Sequence, residues 1–540
     1  MGVKTSWVAS VSILLFVGYL LLAVVYVLTG QKEPLLAAPL MVDQGYPLVI
    51  TSTVFHGGRL YQDTWWPYGP VAIAPYLLFA RAFGNTPEMF VNYQWTCMWA
   101  TLILAVVVYR KFLKVPQLLF LLVILFMFSR GIMFLLLYHY IEVACVLLVM
   151  LIWSIPDKRP VFASVLLGLI FAVLHYTKFG TQFAAGLALL ATDAISLFAR
   201  RTDKGALVAT FRSWVWTGSA YLLAAVLGWG TLRFFLPPQT AWDIVWPLFL
   251  RNSYNYVTSE IRYPGWSSLQ FFLDTQLPAL LGCASVLYVL WLVRPSVRTR
   301  NGAATVPSDF PCVLLVPPLV YLVSSQLFFT QEFHYYHDSV FAALGIALPL
   351  AVGGAVTQAL VVVLLLRCAI AMPIFWAKHL AGMWHKDQLV GFDTPAGYRI
   401  FAKPESAAFY QRVAALVAEK VAASPRGNAR TIGIIGSMPG IYYFYDYKVS
   451  GRHSYLILSY VRPWEEASET QAFLNSAAII LLWPRLETVN NPSREEALRA
   501  LNRLLPPKVS EALYPHLVEP VSAGTDPESG SVAWVYGVSP

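Results

Sequence analysis

Residues 43–70 read DQGYPLVITSTVFHGGRLYQDTWWPYGP. Asp43 stands a few residues past the apolar run at 7–29, Arg59 and Asp63 follow a Gly57-Gly58 turn, and Trp65, Trp66 and Tyr68 close the stretch beside Pro67 and Pro70. A connector without a task is usually polar and plain. This one carries acid, base and aromatic surface, the chemistry a site needs to handle a sugar and a phosphate. The adjoining apolar segment, 70–83, decides the topology. If it crossed a membrane, the basic loop at 110–114 would fall opposite the other basic loops. If it lies in the interface, Lys4, Arg110, Lys111, Lys114, Lys158, Arg159, Arg200, Arg201, Lys204 and the arginines at 294–300 share one side, as the positive-inside rule requires. At about 14 residues, with Pro75 inside it, the segment is short for a span. It is expected to be a juxtamembrane helix at the membrane surface, with a second such helix at 46–55.

Composition agrees. Of 540 residues, 57% are hydrophobic and only 12% charged, against about 25% charged in soluble domains. The formal charge of +9 does not point to nucleic acid, because the basic residues sit in short loops between apolar runs. The cysteines Cys97, Cys145, Cys283, Cys312 and Cys368 fall in or beside apolar stretches without CxxC spacing, which favours a buried, unpaired role and gives little support to a disulfide framework or a metal site. The run at 7–29 exceeds a signal-peptide core and reads as an uncleaved span.

Spans of roughly 20 apolar residues are expected at 7–29, 88–109, 116–136, 141–155, 160–177, 179–199, 213–236, 276–293, 310–329, 340–354 and 357–377. The first loop (30–87), the turn at 138–142, the 237–275 loop, the 331–339 loop and the C-terminal region then share the non-cytoplasmic face. From about residue 390 the composition becomes that of a small soluble α/β domain. A helix is expected at 405–422, with Phe409, Val413, Leu416, Val417 and Val421 on one face. Strands are expected at 431–435, 478–483 and 532–536, and a helix at 494–504 behind the capping box Ser493-x-x-Glu496. Gly436-Ser-Met-Pro-Gly440 lacks the dinucleotide-binding glycine spacing and reads as a plain turn.

Asp43 is the first candidate for chemistry: a carboxylate there could deprotonate an acceptor hydroxyl, with Asp63 as the alternative base. Set against this, an aspartate at a membrane exit can simply cap a helix. Glu142, in Tyr138-His139-Tyr140-Ile141-Glu142, lies at the mouth of a span, where an ionisable group is costly unless paired or functional. It is either a partner of His139 or a second acid of the same cavity. Lys178 interrupts an apolar run between two spans, either snorkelling or meeting an anionic lipid headgroup, with His175 and Tyr176 as added donors. His334 and His337, near Glu332 and Asp338, are belt residues or ligands of a phosphate or a divalent metal; two histidines alone do not make a zinc site.

These features resemble the GT-C superfamily of membrane glycosyltransferases, the class of the protein O-mannosyltransferases and the lipid A aminoarabinose transferase. The resemblance rests on Val42-Asp43-Gln44-Gly45 after the first span, the GGRLYQDTWWPYGP loop, the surface helix ending Phe83-Gly84, Glu142 after the third span and Lys178 between the fifth and sixth. It implies a polytopic α-helical membrane protein of about eleven spans in residues 1–385, GT-C-like, with an extracytoplasmic α/β domain in 386–540. It further implies transfer of a sugar, with inversion, from a polyprenyl-phosphate donor to a lipid, glycan or protein acceptor at the outer face of a bacterial inner membrane. Asp43 would activate the acceptor. Glu142 would be the second acid. Lys178, with Arg59 or His337, would stabilise the leaving phosphate, and Tyr68, His139 and His334 would line the site. Gln44 replaces the family's second paired acid, which leaves a divalent metal open. A transporter or flippase of lipid-linked substrates is the alternative, but such proteins often show internal repeats, and no clear repeat joins the two halves.

Overall fold

A computed structural model describes residues 35–41, 44–66, 68–110, 137–153, 161–199, 204–245, 389–425, 430–436, 438–453, 465–484, 504–527 and 531–539, with isolated positions between. They are mostly helical, with a small sheet region near the C-terminus. Two compact units form: one of residues 1–31, 68–75 and 93–377, the other of 32–67, 76–92 and 378–540.

Among the described residues the first loop contains three helices, α1 (Ala37–Met41), α2 (Gly45–Phe55) and α3 (Ala74–Phe83), the last preceded by a 3-10 turn at Pro70–Ala72. The surface helix expected over 70–83 is therefore broken: Pro70 and Pro75 each lack an N–H donor, so a tight turn precedes the regular helix. On α3, Tyr76 and Ala80 are buried while Leu78 and Phe83 are exposed, an apolar outer face that suits an interfacial helix. The helix expected at 46–55 is α2, with its first seven residues buried.

The next helices are α4 (Pro87–Tyr109), α5 (Leu137–Trp153), α6 (Val161–Thr177), α7 (Phe179–Ala199), α8 (Lys204–Phe235) and the short α9 (Pro238–Val245). Among the described residues, α4 and α8 are long and apolar enough to cross a membrane. The stretches expected to span at 7–29, 116–136, 276–293, 340–354 and 357–377, and nearly all of 310–329, lie outside the described residues. Large apolar side chains such as Leu147, Met150, Leu167, Phe171 and Leu189 are buried within this group, whereas the contact between α6 and α8 is built from small and hydroxylated residues. Between α6 and α8 the Ser164 and Ser213 hydroxyls meet at 2.9 Å, and Thr217 donates to the Ser164 carbonyl at 3.2 Å. A Cβ on Gly168 would lie 2.4 Å from the Thr217 carbonyl oxygen, so glycine is what lets the backbones approach. Outside, α8 exposes Phe211, Leu222, Leu223, Val226, Leu227 and Phe234. Small and hydroxylated residues thus line the α6–α8 contact, and large apolar side chains face outward on α8.

The C-terminal part begins with a hairpin, β1 (Val390–Asp393) and β2 (Arg399–Ala402). It continues through α10 (Pro404–Ala423), β3 (Thr431–Ile435), α11 (Gly440–Phe444), β4 (Lys448–Val449), α12 (Glu466–Leu474), β5 (Ala478–Pro484), α13 (Pro507–Leu513), β6 (Leu517–Thr525) and β7 (Ser531–Val538). The five-stranded sheet has the order β4-β3-β5-β7-β6. β3 runs parallel to β4 and β5, whereas β7 is antiparallel to both β5 and β6. Ile432, Ile434, Ile479, Ile480 and Leu481 are buried, as the unbroken apolar runs of central strands demand. Helix α10 covers the sheet with Phe409, Tyr410, Val413 and Val417; Leu416 and Val421, expected on that face, are half-buried. Lys420 is buried as well, its ammonium 3.0 Å from Glu519. The capping box at 493–496 lies outside the described residues.

The turn at 436–440 does more than reverse the chain. A Cβ on Gly440 would fall 2.2 Å from the Leu40 carbonyl oxygen, and one on Gly45 would fall 2.5 Å from the Gly440 Cα. Two glycines facing each other let the start of α2 touch the start of α11. Asn85 fixes the same part of the loop: its amide donates to the Leu48 carbonyl at 3.0 Å, and its side-chain oxygen accepts from Tyr76 at 2.9 Å. Its carbonyl accepts from Tyr443 at 2.5 Å.

Candidate functional site

The ends of α5, α6 and α7 bring three of the expected site residues into buried positions. Glu142 lies one turn after His139 on α5, and neither side chain reaches solvent; Lys178, between α6 and α7, is 3% exposed. The chain barely leaves helical geometry at Lys178, since its N–H donates to the Leu174 carbonyl at 2.7 Å. The ammonium is therefore held at a helix junction rather than on a loose loop. Thr181, one turn into α7, donates its hydroxyl to Glu142 Oε2 at 2.8 Å, and His139 Nδ1 lies 3.7 Å from Oε1. Both readings of Glu142, His139 partner and cavity acid, share this geometry. A carboxylate so deeply buried is stable only with such partners.

Tyr68 joins the group from the end of the first loop. The Gly69 N–H donates to the Thr177 carbonyl at 3.3 Å, and a Cβ on Gly69 would lie 1.8 Å from the Tyr176 carbonyl oxygen. Only glycine permits that approach, which places the Tyr68 ring under Lys178, Nζ to centroid 5.5 Å. This is within cation–π range. Glu142, His139 and Thr181 thus form one buried group, and Lys178 over Tyr68 forms a second contact at the α6–α7 junction. Positive charge held in a low-dielectric wall attracts an anion, and a fixed carboxylate can accept a proton or a sugar hydroxyl. His175 and Tyr176 are engaged elsewhere. His175 Nδ1 meets the Tyr221 hydroxyl at 3.0 Å, and Tyr176 donates to the Ala225 carbonyl, so both bind α6 to α8.

Arg59 and Asp63 belong to the other unit and are exposed. Asp63 accepts from the Arg59 N–H at 2.7 Å and pairs with its side chain at 3.6 Å. The pair closes a tight turn containing Tyr61 at φ 68°, and an exposed pair of this kind contributes only about 0–1 kcal/mol. Trp65 and Trp66 are buried, so their faces serve packing rather than a stacked sugar. The Tyr46 hydroxyl donates to the Trp65 carbonyl at 2.6 Å, and the Tyr46 and Trp66 rings lie 5.3 Å apart.

Asp43, His334 and His337 lie outside the described residues. Among the described residues no group of three or more His, Cys, Asp or Glu side chains is arranged to hold a metal ion. Sequence reasoning passed over Thr181, whose one signal is its place a helical turn after Lys178. It also passed over Arg452, His453, Glu465 and Glu469, all largely buried. No protein-family model matches the chain, and no curated protein matches it either.

Proposed function

We propose that the chain is a polytopic membrane glycosyltransferase that moves a sugar from a polyprenyl-phosphate donor to a lipid, glycan or protein acceptor, with inversion. In this reading it sits in a bacterial inner membrane, with the first loop and the C-terminal unit outside the cytoplasm. The observation that carries the reading is the buried set Glu142, Thr181, His139 and Lys178, with the half-buried Tyr68 against Lys178, where α5 and α7 begin and α6 ends. The lipid-suited faces of α8 and α3 support the membrane setting.

The acceptor hydroxyl attacks the anomeric carbon, its proton passing to the Asp43 carboxylate. The new carbon–oxygen bond forms as the bond from that carbon to the phosphate oxygen breaks, and polyprenyl phosphate departs with the electron pair. Lys178 meets the charge growing on the leaving phosphate, a role best filled by a donor already fixed in a dry site. Glu142, held by Thr181, orients the sugar or the acceptor, and Arg59 or His337 supplies a further contact to the phosphate.

The test is transfer of label from radiolabelled polyprenyl-phosphate sugars by the purified chain in lipid vesicles, with membrane extract as acceptor. Lys178→Met and Glu142→Gln are expected to lower turnover by about 100-fold or more, and Asp43→Asn to abolish it. Unchanged transfer in all three overturns the reading. Movement of the lipid-linked sugar across the vesicle membrane without product identifies a flippase instead.

A further inference from the structure

The first loop's segment 59–66 joins a turn of the C-terminal part some 390 residues later, and Arg452 contributes three of the contacts. The Arg452 guanidinium donates to the Tyr61 carbonyl at 3.0 Å and lies 4.7 Å above the Trp65 ring. Its own carbonyl accepts the Trp65 N–H at 2.7 Å. From behind, Arg452 is held by α12 and the residue before it: its side chain pairs with Glu465, and its N–H donates to Glu469 at 3.3 Å. His453 completes the layer, its ring 5.7 Å from Trp65 and its Nε2 3.2 Å from Glu465. Gly451, at φ 69°, gives the turn its shape, because a Cβ there would strike the Glu469 carboxylate at 2.5 Å.

Loops ordinarily move more than the elements they connect. This one has its carbonyl, N–H and ring gripped by a single residue whose planar, always-charged group lysine cannot imitate. We propose that Arg452 is a positioning residue: with Glu465 and Glu469 behind it, it clasps the Tyr61–Trp65 turn and sets the conformation of the first external loop. The clasp stands on the geometry alone. Its consequence for turnover rests on the glycosyltransferase reading, in which that loop carries Asp43 and Arg59.

The experiment is hydrogen–deuterium exchange on the full chain in detergent, comparing the native protein with Arg452→Met, Arg452→Lys and Glu465→Gln. Exchange of the amides at 60–66 is expected to rise about tenfold or more in Arg452→Met, while β3 and β5 keep their protection. Lysine should restore little of the lost protection, and Glu465→Gln should give an intermediate rise. Unchanged exchange at 60–66 in Arg452→Met and Glu465→Gln overturns the clasp. A loss of protection in β3 and β5 as large as at 60–66 in both also overturns it, since Arg452 is then a general structural residue. With a labelled polyprenyl-phosphate sugar, Arg452→Met is expected to lower kcat about tenfold with donor KM within about twofold. Faster loop exchange in a protein whose native form transfers nothing leaves the clasp standing and removes the enzyme reading. Faster exchange with kcat unchanged confines the clasp to loop order and overturns its role in turnover.

Discussion

Replacing Glu469 by glutamine should flatten the pH dependence of stability, and the size of the effect is set by where the carboxyl sits. Glu469 is buried on α12 and faces Arg452 and His453 from the 450–453 turn, Tyr442 from α11, and Glu465 one turn earlier. Burial is the main cause that lifts its carboxyl from 4.5 to about 7, against the opposing pull of Arg452. The folded protein therefore holds this proton more tightly than the unfolded chain. The stability this confers is complete below about pH 4.5 and drains away as pH rises through about 7. At 1.36 kcal/mol per tenfold change the full effect is about 3 kcal/mol, of which about 2.5 kcal/mol is lost between about pH 5 and about pH 8. For a unit of this size that corresponds to a fall in Tm of roughly 5–10 °C. Glutamine keeps an oxygen to accept the Arg452 N–H and cannot ionise. The assay is thermal unfolding of the full chain in detergent, followed by tryptophan fluorescence at each pH. The difference in Tm, Glu469→Gln minus native, should be larger at pH 8 than at pH 5 by that amount. Parallel profiles would show that the Glu469 proton is bound equally in both states and would refute the argument.

Gly440→Ala should destabilise the C-terminal unit by about 1–3 kcal/mol, because the added methyl meets the backbone of Leu40 and Met41 and neither can swing aside. A Tm within about 1 °C of native would show that the contact yields. On α8, Leu223 is 62% exposed, so Leu223→Arg should hinder membrane insertion at a cost of about 3 kcal/mol and reduce the carbonate-resistant fraction, whereas an unaffected fraction would mean that this face does not meet lipid.

The strand at 478–484 was legible because a central strand covered on both faces needs an unbroken apolar run, and Ala478-Ile-Ile-Leu-Leu-Trp483 supplies one. The strand at 431–435 and the helix at 404–423 come from the same local rules. β6 left no such trace. It is an edge strand with Pro520 and Gly524 inside it and register shifts between Val518 and Val521 and between Ser522 and Gly524, so its residues never alternate, and proline is tolerated only at such edges and bulges. The β1–β2 hairpin pairs only four residues on each side, too few for a period to emerge. In the site, Glu142 and Lys178 stood out because an ionisable side chain in an apolar helix is costly. Thr181 did not, since a threonine in a helix is common until a carboxylate is seen opposite it.

Among the described residues, the sequence by itself determined the apolar helices between 87 and 235, the helix at 404–423 and the buried strands at 431–435 and 478–484, because those features depend on neighbours three, four or two residues away. Tertiary structure alone decided that Trp65 and Trp66 are packing residues, that Gly45 must face Gly440, and that Arg452 grips a turn some 390 residues earlier. Each of these depends on a partner distant along the chain, and chain separation leaves no periodic signature from which such a partner could be read.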